Sequence, residues 1–148
     1  MFRGINAVNL DAKGRMAVPK RYHDTLGGKQ VVLTIDTESP CLLLYPIDEW
    51  EQIEKKLAAL PSFDARTRRI QRLLIGHATE LELDSQGRIL IPALLRDYAT
   101  LSKPVMLVGQ GKKFEIWSED GWHKGRSDWL TGMDGDDDLP EQLQSISL

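Results

Sequence analysis

Two arginines that each follow a short turn motif are the residues of this chain best suited to chemistry. The motif Asp-x-x-Gly-Arg occurs twice, and its arginines are Arg15 and Arg88. A guanidinium group binds a phosphate or the major-groove edge of guanine with two parallel hydrogen bonds. Alternatively, each arginine pairs with the aspartate of its own motif and only holds the turn. The residues alone leave both uses open.

The aspartate and the glycine of each motif encode the turn itself. An aspartate side chain accepts hydrogen bonds from backbone N–H groups two residues on, and glycine adopts a positive φ at little cost. Each motif therefore predicts a tight hairpin, in which a turn joins two strands. The turn residues are Asp11 and Gly14 in the first copy, and Asp84 and Gly87 in the second.

Basic residues are denser around the first motif than around the second. Lys13 lies within the first turn, where the second turn has Gln86. A cluster of basic side chains attracts polyanions even when the whole chain has a net charge of −3. The candidate DNA-binding residues are Arg15, Lys13, Arg3, Lys20, Arg21 and, as the weaker second site, Arg88.

The two motifs belong to a longer internal repeat with an offset of 73 residues. Residues 10–19 read Leu-Asp-Ala-Lys-Gly-Arg-Met-Ala-Val-Pro, and residues 83–92 read Leu-Asp-Ser-Gln-Gly-Arg-Ile-Leu-Ile-Pro. A long period that occurs twice indicates tandem modules rather than a solenoid. Each module is predicted as strand, turn, strand, helix, strand, strand. The helices are expected over residues 20–26 and 92–101, each starting at a proline.

Two further helices are predicted between the modules. Asp48 and Glu51 have the spacing of a capping box at the start of the first helix, and Pro61 ends it. The second begins near Asp64 and ends at Gly76. This second helix carries several arginines on one face, which makes it another basic surface.

These elements predict a mainly β chain with helices, of the α+β class, followed by an acidic tail. Residues 128–148 contain six acidic side chains and no lysine or arginine. We expect the tail to be mobile, with one helical turn at residues 141–144. It is either a solvated spacer or a mimic of DNA that competes for the basic surface. The expected divisions are a first module over 5–52, connecting helices over 53–80, a second module over 81–124 and the tail over 125–148.

Other kinds of site find little support in the residues. Cys41 is the only cysteine, which excludes a disulfide within the chain and a cysteine-based zinc site, and its apolar neighbours predict a core position. The three histidines lack the spacing of metal ligands. We therefore predict no catalytic site, no metal and no cofactor. No apolar run is long enough to span a bilayer and the first residues lack an apolar leader, so the expected location is the cytoplasm.

The chain resembles the MraZ family of bacterial transcriptional regulators, which carry two DNA-binding modules of the AbrB-type swapped-hairpin kind. Both copies contain the pattern Leu-Asp-x-x-Gly-Arg-x-x-x-Pro. The start Met-Phe-Arg-Gly, the stretch 41–46 followed by Trp50, and the stretch 69–78 also resemble this family. The resemblance covers nearly the whole chain, and the acidic tail least.

The resemblance implies a pseudo-dimer of two interleaved modules and a ring of several protomers. It implies a repressor that binds short direct repeats in double-stranded DNA, upstream of its own division and cell-wall gene cluster. The expected place is the cytoplasm, on the nucleoid, without a membrane or small-molecule partner. The family's turn motif falls on Asp11, Gly14 and Arg15, and again on Asp84, Gly87 and Arg88. Of these positions, Arg15 is the leading candidate for the DNA contact.

Two other functions remain open. The first is an antitoxin-like relative of AbrB whose tail neutralises a toxin, which would co-purify with that toxin. The second is a ring-shaped scaffold of protein alone, with the turn arginines locked in salt bridges, which would not bind DNA at low salt. An enzyme is the least favoured class, because no catalytic constellation is present.

Overall fold

A computed structural model describes residues 1–28, 30–132 and 140–147. Its strands are β1 (Ile5–Asn9), β2 (Arg15–Ala17), β3 (Gln30–Ile35), β4 (Leu42–Pro46), β5 (Thr79–Glu82), β6 (Arg88–Leu90), β7 (Pro104–Gly109) and β8 (Phe114–Ser118). Its α-helices are α1 (Ile47–Ala58), α2 (Ala65–Leu74), α3 (Ala93–Tyr98), α4 (Glu119–Gly132) and α5 (Glu141–Gln144). A 3-10 helix spans Lys20–Tyr22.

The two modules exchange strands. Six strands form an antiparallel sheet in the order β1-β7-β8-β4-β3-β5, and β2 pairs with β6 in a separate two-stranded ribbon. The ladders β1–β7, β2–β6, β3–β5 and β4–β8 each join a strand of the first module to a strand of the second. The predicted α+β fold of two interleaved modules is therefore confirmed.

The predicted hairpins form only at their turns. The backbone N–H of Asp11 donates to the carbonyl of Arg15 at 3.0 Å, and that of Asp84 donates to Arg88 at 2.9 Å. Beyond these bonds the strands of each module separate, since β1 enters the large sheet and β2 enters the ribbon. The prediction that the two strands of a module pair with each other is wrong, because each finds its partner in the other module.

Both faces of the central strands of the large sheet are buried, which explains the apolar runs in β3 and β4. On one face, Leu33 and Leu44 are fully buried in a core that includes Met16 and Ile89 of the ribbon. On the other face, α1 and α4 cover a second core rich in tryptophan. Cys41 lies in this second core with no exposed surface, as predicted.

The helix starts differ in how well the sequence predicted them. Asp64 caps α2 by accepting a hydrogen bond from the backbone N–H of Arg66 at 2.8 Å, as expected. The capping box at the start of α1 is wrong: α1 follows β4 directly, Pro46 occupies the cap position, and no side chain caps the helix.

The helices expected within the modules are shorter than predicted. Instead of a helix over 20–26, the first module has the 3-10 helix followed by turns. Those turns end at Gly27, which has a φ of +74°. In the second module α3 covers only six of the ten residues expected over 92–101. No helix among the described residues is long and apolar enough to cross a membrane.

The predicted start of the acidic tail at residue 125 falls inside α4, which extends to Gly132. The Trp129 ring packs edge-on against the rings of Trp117 and Trp122, with centroid distances of 5.3 and 5.7 Å. These contacts anchor the second half of α4 on the sheet. The helical turn expected at 141–144 is present as α5. The tail was expected to be mobile as a whole, and its residues 133–139 and 148 lie outside the described part of the chain.

Candidate nucleic-acid interface

The first turn is built around the carboxylate of Asp11. One of its oxygens accepts hydrogen bonds from the backbone N–H groups of Lys13 and Arg15, at 3.0 and 2.9 Å. The other accepts from Nε of Arg15 at 2.6 Å. The backbone N–H of Gly14 donates to the carbonyl of Asp11 at 3.0 Å, and Gly14 has a φ of +85°. The aspartate thus shapes the turn and orients the arginine that leaves it.

The second turn repeats this arrangement. The Asp84 carboxylate accepts from the backbone N–H groups of Gln86 and Arg88, both at 2.9 Å, and from Nε of Arg88 at 2.8 Å. Gly87 has a φ of +74° and donates its backbone N–H to the carbonyl of Asp84. The predicted turn chemistry is therefore confirmed at both motifs.

These hydrogen bonds keep both aspartates ionised. The backbone N–H of Arg15 is the main cause that lowers the pKa of Asp11 below 3.8, and the arginine side chain adds to it. The N–H of Arg88 lowers the pKa of Asp84 in the same way. Each motif therefore holds an ion pair at neutral pH in which the arginine uses its Nε.

The β2–β6 ribbon brings the two arginines together. Met16 pairs with Ile89 and both are fully buried, so the alternation of side chains places their neighbours on the outer face. Arg15 and Arg88 lie on that face, with side chains 30% and 27% exposed. The outer face of the ribbon consists of Arg15, Ala17, Arg88 and Leu90.

A shared carboxylate links the two motifs. Nη1 of Arg88 lies 3.9 Å from the Asp11 oxygen that also accepts the hydrogen bond from Nε of Arg15. The sequence predicted two hairpin tips, one in each module, that together form a surface. The structure joins them through this carboxylate into one composite surface, which we call the arginine face: Asp11, Arg15, Asp84 and Arg88.

The other basic residues predicted for the site lie in different parts of the fold. Lys13 is exposed within the first turn, and Arg3 is exposed before β1. Arg21 donates to the Asn6 side chain and, at 2.9 Å, to the hydroxyl of Tyr22, and it lies 4.7 Å above the Tyr22 ring. These contacts hold Arg21 against β1 rather than against either turn.

The strand exchange also moves Lys20 to the second turn. Lys20 and His23 line an open cleft of about 920 Å³ together with the residues of the second turn. The backbone N–H of Val18 donates to the carbonyl of Gly87 at 3.0 Å, which fixes this neighbourhood. The sequence grouped Lys20 with the first turn, because it could not show that the chain crosses to the other motif.

Sequence reasoning missed two cations that stand beside the first turn. Arg96 and Lys103 line a smaller cleft of about 490 Å³ with Leu10 and Asp11. They come from the second module, far from the first turn in sequence. The repeat alignment holds the signal that could have found Arg96, because it places Arg96 opposite His23 at the offset of 73 residues.

One cluster of metal-ligating side chains lies elsewhere. Ligand atoms of Asp36, Cys41 and Glu115 lie within 4.8 Å of one another. The Cys41 thiol is directed at Asp36 with a sulfur–oxygen distance of 3.6 Å. Burial, with the two carboxylates, raises the pKa of this thiol well above its usual value. A protonated, hydrogen-bonded thiol accounts for this contact, so the cluster gives no support for a bound metal.

Comparison with known proteins identifies close relatives. The family model described as "MraZ protein, putative antitoxin-like" matches twice, over residues 1–73 and 74–128. A protein of Coxiella burnetii named "Transcriptional regulator MraZ" is 57% identical over the full length of both chains. Proteins of the same name from Legionella pneumophila and Hydrogenovibrio crunogenus are 52% identical. The match with the Legionella protein covers all of both chains. The match with the Hydrogenovibrio protein covers 99% of this chain and 98% of that protein.

Proposed function

The chain belongs to the MraZ family of transcriptional regulators, and we propose that it binds double-stranded DNA through its arginine face. Arg15 makes the leading contact and Arg88 completes it. Lys13 and the neighbouring cations add attraction to the phosphates. The family and the turn geometry support this assignment together.

The convergence of Arg15 and Arg88 on one exposed face is the observation that carries the proposal. Each Nε is fixed by an aspartate, so the guanidinium plane is oriented before any ligand arrives. Among the described residues, the terminal nitrogens of Arg15 make no hydrogen bond. An arginine held in this way presents its free edge to a phosphate or a guanine at a reduced cost in side-chain entropy.

The ion pairs also fit the alternative in which the arginines only hold the turns. The turns, however, have other support, because two backbone N–H groups bond each aspartate and a further backbone bond closes each turn. Loss of the Arg15 side chain would leave those bonds in place. A purely structural role therefore predicts a small effect on the fold and none on DNA binding.

We further propose that the protein represses its own division and cell-wall gene cluster by binding short direct repeats upstream of it. A ring of several copies would engage successive repeats at once, and effective concentration would then raise the affinity of individually weak contacts. Exposed apolar side chains at the α1–α2 connection, Leu60 and Phe63, support contact with a second copy. Such a repressor would reside on the nucleoid.

The test is a fluorescence anisotropy titration with a duplex from the region upstream of the protein's own gene. A scrambled duplex measures selectivity, and each titration is run at two salt concentrations. We expect selective binding that weakens steeply with salt, because each neutralised phosphate releases counterions. Arg15→Ala is expected to lose this binding, while Lys112→Ala, on the exposed turn after β7, serves as the charge-matched control.

Two outcomes would count against the proposal. Equal binding by the wild type and Arg15→Ala would assign the arginine to the turn alone. The exposed arginines of α2 would then be the next candidates. The absence of any binding at low salt would favour the scaffold of protein alone, or the antitoxin function suggested by the wording of the family description. Co-purification with a toxin would distinguish those two.

A further inference from the structure

We propose that the second module supplies a phosphate-binding site beside the first turn, formed by Arg96, Ser102 and Lys103. The ligand class is a phosphate of the DNA backbone next to the bases that Arg15 contacts. This inference rests on the proposed DNA-binding function and adds residues to it. It follows from the strand exchange, which brings the end of α3 and the residues after it to the first turn.

The loop before β7 is fixed against the first turn by the backbone. The N–H of Leu10 donates to the carbonyl of Lys103 at 2.7 Å, and Asn9 pairs with Pro104 in the β1–β7 ladder. Ser102 and Lys103 are exposed at the mouth of the small cleft. Both side chains can therefore reach a ligand that lies against the turn.

Arg96 forms the inner wall of this cleft. A Cβ added to Gly14 would lie only 2.3 Å from Nη1 of Arg96, so the guanidinium packs directly over the glycine of the turn. Its Nε is buried and has no hydrogen-bond partner among the described residues. No ion pair involving Arg96 is found in the described part of the chain. The buried Nε cannot reach a ligand in the cleft, so an anion there would be held by the charge and the terminal nitrogens of this fixed guanidinium.

The first turn has more cationic surroundings than the second, as a phosphate site beside the first turn requires. The repeat offset of 73 residues places His23 opposite Arg96 and Gln30 opposite Lys103. The cleft at the second turn has Lys20 with Asp24 and Asp84, whereas the small cleft has Arg96 and Lys103 with Asp11. The surroundings of the first turn are thus the more cationic, because the second module adds two charges there.

A backbone phosphate matches this set of donors. A guanidinium group offers paired N–H donors, lysine adds a point charge, and a serine hydroxyl donates a further hydrogen bond. Contacts with phosphates fix the position of a protein on DNA but do not read the DNA sequence. Contacts with the bases read the sequence. The site would therefore add affinity for any duplex and leave the selectivity to the arginine face.

The test measures binding of the full-length protein to the upstream and the scrambled duplex across a series of salt concentrations. Lys103→Gln removes an exposed charge that forms no ion pair with the described residues. Arg96→His copies the residue that packs over the second turn, which keeps this variant compatible with the fold. Lys112→Gln, at the exposed turn after β7, is the matched control, and Arg15→Ala reports on the proposed function itself.

We expect Lys103→Gln and Arg96→His to weaken binding of both duplexes by the same factor, roughly threefold or more, and to lower the salt slope by ~0.9 per lost phosphate. The inference is overturned if both variants match Lys112→Gln while Arg15→Ala abolishes binding. A change in selectivity would also overturn it, because it would indicate a base contact. A titration with inorganic phosphate is the remaining arm: if phosphate binds but neither variant changes DNA affinity, the cleft is a free-anion site and the inference is overturned. Without wild-type binding at low salt, the proposed function fails as well.

Discussion

At the scale of single residues, the aspartate of each motif determines what the arginine can do. Asp11 and Asp84 each bond two backbone N–H groups and one arginine Nε. The carboxylates therefore offset much of the positive charge on the arginine face. The proposed attraction to DNA therefore requires additional cations, and Lys13, Arg96 and Lys103 are cations that lie beside the first turn.

The pKa of Asp11 gives a first prediction at this scale. The backbone N–H of Arg15 is the main cause of its lowered pKa, and that group is unchanged in Arg15→Ala. We expect the pKa of Asp11 to stay below 3.8 in this variant, although closer to 3.8 than in the wild type. Carboxyl NMR titration measures it. A value at or above 3.8 would mean that the side chain, rather than the turn, determines the ionisation.

The sign of the pH dependence follows from the same shift. A carboxyl with a lower pKa in the folded than in the unfolded protein stabilises the fold above its unfolded pKa. That contribution is lost as the pH falls through the folded pKa, below 3.8 for Asp11 and Asp84. Arg15→Ala should therefore keep most of the acid sensitivity that these two groups give to the free energy of unfolding.

Single residues also show the limits of prediction from sequence. The motif predicted the turn chemistry of Asp11 and Gly14, because those interactions are local. It grouped Lys20 with the wrong turn and missed Arg96 and Lys103, since their positions depend on which module each strand joins. No local pattern carries that information.

At the scale of elements, the two glycines of the turns allow another chain segment to approach closely. A side chain at Gly14 would meet the guanidinium of Arg96, and one at Gly87 would lie 2.4 Å from the His23 ring. Each close approach joins one module's turn to the other module's helical segment. These contacts, together with the β2–β6 ladder, hold the two motifs in a single surface.

Gly14→Ala gives the prediction at this scale, with Gly27→Ala as its control. Both positions have a positive φ, which costs alanine ~1–2 kcal/mol, but nothing lies within 4 Å of a Cβ at Gly27. We expect Gly14→Ala to lower the free energy of unfolding by more than the control does, and to weaken DNA binding as Arg96 is displaced. Urea denaturation measures the first effect. Equal losses of stability would show that Arg96 moves away freely.

The strands themselves were predicted more accurately than their pairing. The order of strands in each module was predicted correctly, and the structure buries both faces of β3 and β4. The β1–β2 pairing was wrong because the hydrophobic pattern fixes which face of a strand is buried but not its partner. Here the chance to bury Met16 against Ile89 favours pairing with the other module.

At the scale of the whole molecule, the strand exchange makes the two modules one folding unit. Four of the six strand ladders cross from one module to the other. The connection between α1 and α2, residues 59–64, is mostly exposed and contributes to no ladder. A break in this connection would leave the inter-module contacts intact.

Cleavage at the connection between α1 and α2 tests whether the two modules form one folding unit. We expect a protein with a protease site inserted after Ser62 to remain folded when it is cut, because its two pieces share both cores. Size-exclusion chromatography and circular dichroism measure association and folding, with the uncut insertion variant as the control. Separation of the fragments under native conditions would contradict the exchange of strands.

A double-mutant cycle in DNA binding tests the central claim, a composite arginine face, most directly. It compares Arg15→Ala, Arg88→Ala and the double variant by anisotropy on the upstream duplex. Because both arginines share Asp11, we predict that each single change weakens binding and that the two effects are non-additive by more than ~0.5 kcal/mol. Additive effects would restore two independent hairpin tips, and a neutral Arg88→Ala would confine the DNA contact to the first motif.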